Sequence, residues 1–403
     1  MYDDGELFAD VGNGRYGVVI YNGANNTAIG GSGAGEGNVI SGNVQAGVII
    51  DGNSNAATTA NTIAGNYIGT DASGTLSRGN GTYGVYFFGG ANGNTIGGPT
   101  AAHGNVISGN GSSDDGVRIS GATTSGNIIQ HNTIGTNAAG TAAIPNNLHG
   151  IRITQSPSNQ ILDNLVSGND VHAIYVFGAS STGNQILRNT IGTNAAETAA
   201  VPNLFDGIRL ENGSSGTVIG SPGNGNVIAG NAQQGITIND NNSNTIQSNF
   251  IGTDSGGTQV LGNGGAGVFN EVFGSSNNLI GGDGAGEGNV IANNDVGIRL
   301  ESGSANSIIG NDIHSNTNLG IDLVGGTENG AGVTANDGGD GDSGTNGLLN
   351  YPVITSATES GGTVTVEFDL DVPAGNYRVE FFTNASGADG SGYGEGESFV
   401  SSV

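Results

Sequence analysis

The chain has 403 residues, with 79 glycines, 5% aromatic residues, no cysteine and a net charge of -27. Its eight basic residues are all arginine, too few and too scattered to displace the counterions of a nucleic acid, so nucleic-acid binding is excluded. Disulfides are excluded as well, and no apolar run approaches the roughly 20 residues of a membrane-spanning helix.

The opening Met1-Tyr2-Asp3-Asp4 lacks the pattern of a secretory leader, which predicts a mature form or an excised fragment. After an acidic lead-in over residues 1–16, a Gly-apolar-x-apolar unit recurs. It begins at Gly17, Gly47, Gly84, Gly116, Gly150, Ala173, Gly207, Gly235, Gly267, Gly297 and Gly320. The two shortest spacings, Gly150 to Ala173 and Gly297 to Gly320, are both 23 residues, which sets the bare repeat. A period in this range denotes a repeat architecture. Within each unit the apolar residues alternate with period two, as in Ile151/Ile153 and Ile208/Leu210, and Gly and Asn punctuate the segments. Both features favour short strands and oppose helices.

Two Asn-x-Ile units follow most first strands, for example Asn244/Ile246 and Asn249/Ile251. Each repeat thus supplies three strands, and stacked repeats pair them in parallel about 4.8 Å apart. The fold class expected is all-β: a right-handed parallel β-helix of about eleven coils over 1–335, then a small antiparallel β-sandwich-like domain. Asn tolerates the left-handed turn backbone, and stacked amides hydrogen-bond along a column, so Asn61 through Asn306 and Asn66 through Asn311 are expected to form turn ladders. Two loop types alternate. One is Gly-Gly…Gly-Asn-Val-Ile, the other follows Ile-Gly-Thr, and loops of one kind are expected to emerge from one corner every second coil.

The repeat stops after Asp322. Residues 336–350 form an acidic, Gly-rich joint in which Asp337, Asp340 and Asp342 crowd oxygen ligands. Such a segment either wraps a Ca2+ or remains a flexible acidic linker, and it lacks the closing Glu of an EF-hand. Ordinary strands follow over 351–403, at Val353–Thr358, Thr363–Leu370, Tyr377–Thr383 and Ser398–Val403. The last ends as if in mid-strand, which predicts an incomplete domain cut from a longer protein.

The repeats GNVISGN and NxIxGNxIGTDxxGT, with NDGGDGDSGTNGLLNYPVIT and YRVEFFTNASGADGSGYGEGESF after them, resemble the right-handed parallel β-helix repeat proteins of bacterial cell surfaces and the segment that follows such helices in very large secreted or surface-anchored proteins. The resemblance covers nearly the whole chain. It implies the fold and an extracellular or cell-surface location, and it assigns no chemistry. The same fold is shared by polysaccharide lyases, hydrolases and epimerases and by phage tailspikes, so fold does not settle function.

Chemistry is expected on the outward face of the first strand. The x position reads Tyr86, Arg118, Arg152, Tyr175, Arg209 over successive coils, and the residue before the Gly reads Asp115, His149, His172, Asp206. Asp115, Arg118, His149, Arg152, His172, Tyr175, Asp206 and Arg209 are therefore the candidate ligand-binding residues. Arg forks suit carboxylates and Tyr faces suit sugar rings, while solvated cross-strand ion pairs are the plainer account. A hydrolytic reading uses Asp114/Asp115 with His149, and an elimination reading uses Arg118 or Arg152 as base near Ca2+. The chain lacks the Asn-Thr-Asp of polygalacturonases and the Tyr-Gly-Phe-Asp-Pro-His of alginate epimerases. Glycine runs that open no helix exclude a nucleotide loop.

The reading placed first is an extracellular spacer or adhesive module that requires no cofactor. Next comes a segment that binds or degrades a surface or matrix polysaccharide. Third is a filament subunit whose partners are other copies of the chain, since open solenoid ends accept strands.

Overall fold

A computed structural model describes residues 12–53, 57–112, 114–385 and 392–403, so most of the acidic lead-in lies outside the described residues. The eleven Gly-apolar-x-apolar segments, from Val18–Ile20 to Ile321–Leu323, pair side by side in chain order as one parallel sheet. The two Asn-x-Ile positions build a second and a third parallel sheet of ten strands each. The chain is a parallel β-helix. Each strand returns to its own sheet by a crossover, the connection that is right-handed in nearly all proteins.

Register follows from period two. Val117 lies opposite Ile151, Ile151 opposite Ile174 and Ile174 opposite Ile208, so like stacks on like and the outward residues form columns of their own. The inward Ile and Val of all three sheets meet in one continuous core, most at 0% exposure. Burial of each such side chain contributes roughly 1.5–3 kcal/mol. The strand-opening glycine is needed for close approach. A Cβ on Gly150 would lie 2.6 Å from Val166 Cγ1 and 2.8 Å from Ala173 O.

The asparagines form three ladders. In each, the Oδ1 of one coil accepts the backbone N–H and the Nδ2–H of the Asn one coil earlier, as Asn164 does for Asn132 at 2.9 and 3.0 Å. The ladders that precede the second and third strands were expected. A third runs from Asn13 and Asn43 to Asn294 and Asn316 at the corner that leads back to the first sheet. Its sequence signal is an Asn four residues before most strand-opening glycines, as in Asn146/Gly150 and Asn203/Gly207. These amides turn three otherwise orphaned corners of each coil into hydrogen-bonded columns, each bond contributing about 1 kcal/mol net. The loops after Ile-Gly-Thr also stack at two-coil intervals, Ala138 N–H donating to Gly74 O and Ala195 N–H to Gly140 O.

The ladders end on residues that follow the repeat. Asn346 Oδ1 accepts from Asn306 N–H at 2.8 Å. Glu380 Oε2 accepts from Gly310 N–H at 3.0 Å. Glu395 Oε1 accepts from Asn316 N–H and Nδ2–H at 3.1 and 2.9 Å. Leu348 is buried against this end of the solenoid. Two antiparallel pairs complete the chain, Val353–Ser360 with Thr363–Asp369 and Glu380–Thr383 with Ser398–Ser402. No helix among the described residues is long and apolar enough to cross a membrane.

Candidate functional site

The first sheet presents its x positions outward in strict register: Tyr86 beside Arg118, Arg118 beside Arg152, Arg152 beside Tyr175, Tyr175 beside Arg209. Rings bracket the two central arginines. On one side Tyr86 lies 4.6 Å from Tyr83 and stacks on Phe88 at 4.7 Å. On the other, Tyr175 lies 4.7 Å from His149 and 5.6 Å from His172, with Phe205 edge-on to His172. The Arg118 guanidinium sits 5.5 Å from the Tyr83 ring centroid, and that of Arg152 sits 5.2 Å from Tyr175.

The three cationic positions differ in their partners. Arg209 is saturated: Nε bonds to Glu211 at 2.8 Å, the fork holds Glu271 at 2.8 and 3.1 Å, and Asp206 lies at 3.4 Å. Arg118 bonds to the Tyr83 hydroxyl at 3.1 Å and only approaches Asp115, at 3.9 Å. Arg152 bonds to the Thr154 hydroxyl through Nε, and no carboxylate among the described residues lies within ion-pair distance of it.

The column before the glycine differs from the expectation of solvent-facing groups. Asp115, His149, His172 and Asp206 are all buried, and they form a fourth ladder. Asp115 Oδ1 accepts His149 N–H, His149 Nδ1 accepts His172 N–H, His172 Nδ1 accepts Asp206 N–H, and Asp206 Oδ1 accepts Gln234 N–H. The reason is positional. These residues occupy the corner just before the first strand, where the next coil's amide needs an acceptor and the side chain lies against its neighbours rather than in water.

This arrangement fixes protonation. Burial, with His172 and the arginines nearby, pushes His149 down to about 2, and burial with Arg209 pushes His172 down to about 3. Both rings are therefore neutral. With Nδ1 an acceptor, the proton resides on Nε2, a tautomer assigned from hydrogen-bond geometry. The 3.4 Å approach of His172 to Asp206 is accordingly not an ion pair. Burial pushes Asp115 up to about 6, opposed by Arg152 and Arg118, and its Oδ2 has no hydrogen-bond partner. Burial raises Tyr175, and its hydroxyl donates to Glu211 at 3.0 Å.

The structure thus brings all eight candidate residues onto one strip, four outward and four beneath. Phe88 and Glu211 were missed by sequence reasoning although they stand two residues beyond Tyr86 and Arg209 on the same outward face, a signal the period supplies. Phe205 sits on a loop and Glu271 reaches Arg209 from two coils away, and neither carries a local signal. A cavity of about 1800 Å3 lies away from this strip at the N-terminal mouth, lined in part by Val18, Ile29 and Ile40.

Asp337, Asp340 and Asp342 do converge, with one ligand oxygen of each within 4.8 Å of the others. Part of their acceptor capacity is committed: Asp337 accepts Gly341 N–H at 3.1 Å and Asp340 accepts Asn350 N–H at 2.7 Å. Burial and the two neighbouring carboxylates raise Asp342.

No family model matches the chain, and no curated protein does. Among solved structures it is similar to the Dettilon tailspike protein, with a TM-score of 0.54 at 18% identity over 88% of this chain and 62% of that one. It is also similar to a variant of the periplasmic alginate epimerase AlgG, with a TM-score of 0.45 at 14% identity over 68% of this chain and 57% of that one. A further match is the A-module of a mannuronan C-5 epimerase from Azotobacter vinelandii, with a TM-score of 0.33 at 16% identity over 70% and 83%. The chain spans about three fifths of the length of the tailspike and of AlgG. The tailspike likeness establishes the class, a parallel β-helix protein.

Proposed function

We propose that this chain is a polysaccharide-binding β-helix that works outside the cell, on or near a bacterial surface, and holds its glycan along the outward face of the first sheet. One observation carries the reading. Half-buried aromatic rings, Tyr83, Tyr86 and Phe88 on one side and Tyr175 on the other, flank a pair of half-buried arginines on consecutive coils. Ring faces take the apolar faces of sugars, and guanidinium and hydroxyl groups take their oxygens. The similar structures include alginate and mannuronan epimerases by name, but the reading rests on the strip and not on them. Because the last coil is covered by Asn346, Glu380 and Glu395, end-to-end stacking at that end is disfavoured, which places the filament reading behind.

A degrading enzyme is the second reading. The observation in its favour is Asp115, a carboxyl poised at about 6 as a proton donor should be. The chemistry beside it is incomplete. Both histidines have Nδ1 committed and Nε2 protonated, so neither offers a lone pair to a substrate proton. Tyr175 is held in its neutral form. With Asp206 and Glu211 held by Arg209, the base of this reading falls to Asp114 beside Asp115.

The test is incubation with a panel of acidic and neutral polysaccharides, followed by co-sedimentation and by size analysis of the glycans. Binding without shortening is the expected result. Shortened or unsaturated chains would replace this reading with the enzymatic one, and no association across the panel would refute both.

A further inference from the structure

We infer that the glycan is a carboxylate-bearing, uronate-type polysaccharide, and that Arg152, assisted by Arg118, is the residue that takes its carboxylate. The inference rests on the polysaccharide reading and names the substrate class of that same strip.

The charge distribution carries it. The chain has 35 acidic residues against eight arginines, so an arginine without a carboxylate partner is unexpected. Five arginines approach a carboxylate within 4.0 Å, namely Arg118, Arg188, Arg209, Arg299 and Arg378. Among the described residues Arg15 and Arg78, both exposed, do not, and neither does Arg152, the one of these three that is half-buried in the middle of a sheet. It also stands directly opposite Arg118 in the register, a juxtaposition of like charges that destabilises a sheet. The Nε of Arg118 is buried and has no hydrogen-bond partner. Two adjacent guanidinium groups with no carboxylate bonded to either are the complement of a planar carboxylate, which accepts two parallel N–H bonds.

The flanks fit a sugar acid rather than a small anion. Tyr86 adjoins Arg118 and Tyr175 adjoins Arg152, one strand spacing away on either side, so ring faces lie before and after the cationic pair. Beyond Tyr175 the strip turns acidic, because Glu211 and Glu271 saturate Arg209. An acidic polymer is thus attracted at one place and repelled further along, which fixes its position on the face.

Asp115 tunes this site. It lies beneath the arginine pair with one oxygen lacking a hydrogen-bond partner, and the charged or titratable groups that bear on it are Arg118 and Arg152 above, Asp114 beside it and the neutral His149 of the next coil, with Tyr83 across Arg118. Protonated, it leaves the full positive charge of the pair to the ligand. Ionised, it cancels part of that charge. Since its carboxyl is pushed up to about 6, carboxylate binding strengthens as pH falls from 8 to 5.

The experiment measures binding of polygalacturonate, a neutral galactan and a sulfated galactan at pH 5 and pH 8, with wild type, Arg152→Gln and Asp115→Asn. Circular dichroism and melting of each variant confirm the fold. Expected are binding of polygalacturonate at least tenfold tighter at pH 5 than at pH 8, and at least tenfold weaker binding by Arg152→Gln. Asp115→Asn, whose amide oxygen still serves His149 N–H, should bind at pH 8 as wild type does at pH 5. Equal binding of the neutral galactan, undiminished in Arg152→Gln, would overturn the substrate class and leave the polysaccharide reading intact. Preference for the sulfated polymer would overturn the carboxylate assignment. No binding of any polymer would remove both.

Discussion

The neutral histidine pair makes a quantitative demand on stability. His149 and His172 have an unfolded value of 6.5 and folded values of about 2 and about 3, so the unfolded chain takes up protons that the folded chain refuses. A depressed histidine is favourable to folding above its unfolded value and costs stability as pH falls below it, by about 1.4 kcal/mol per pH unit for each ring. Between pH 7 and pH 5 the two together remove about 4 kcal/mol. Asp115 acts in the opposite sense. Its raised value means stability is gained as pH falls through about 6, and it returns about 1 kcal/mol over the same window. Gln is the natural replacement, since Gln234 already occupies the same column and its Oε1 accepts Ala266 N–H. The double variant His149→Gln/His172→Gln keeps the ladder acceptors and removes the titration. Guanidinium unfolding followed by far-ultraviolet circular dichroism at pH 7 and pH 5 should show the variant losing about 4 kcal/mol less than wild type over this interval. Equal losses in both proteins would show that the rings are protonated in the fold and would refute the ladder as described.

Three further outcomes follow from the same geometry. Asn164→Ala deletes an acceptor for Asn132 and two donations, to Ile129 O and Asn189 Oδ1, and should cost about 2–4 kcal/mol in thermal unfolding; the neighbouring outward Thr133→Ala should stay within about 0.5 kcal/mol. Ile161→Ala, at 0% exposure in the core, should cost about 2–5 kcal/mol by the same assay. If the three converging carboxylates of Asp337, Asp340 and Asp342 take Ca2+, then Ca2+ at a hundred times its Kd adds about 2.7 kcal/mol that a chelator removes and Asp342→Asn abolishes. A melting curve indifferent to chelator would leave the joint as a hydrogen-bonded acidic turn.

The architecture was readable because three simple periods coincide in the sequence. Ile151/Ile153 alternate within a strand, Asn244 and Asn249 precede successive Ile-containing strands, and the strand-opening Gly recurs at coil length. Each period reports a local rule, and a solenoid is built almost wholly of local rules and contacts between neighbouring coils. The outward column was readable for the same reason, since register converts position in the repeat into adjacency in space. What the repeat does not encode is side-chain direction at the corners. His149 and Asp115 read as exposed polar groups, yet they sit where the next coil's amide requires an acceptor, and only the stacked backbone reveals that demand. The partnership of Arg209 with Glu271 skips a coil and crosses 62 residues, so nearest-neighbour reasoning does not reach it.

Whether the strip around Arg152 holds an acidic glycan is decided by a crystal structure of the chain with an oligogalacturonate at pH 5. A uronate carboxylate is expected on the Arg152 guanidinium, with sugar rings against Tyr86 and Tyr175. An oligosaccharide bound elsewhere on the solenoid, with these side chains untouched, would contradict it.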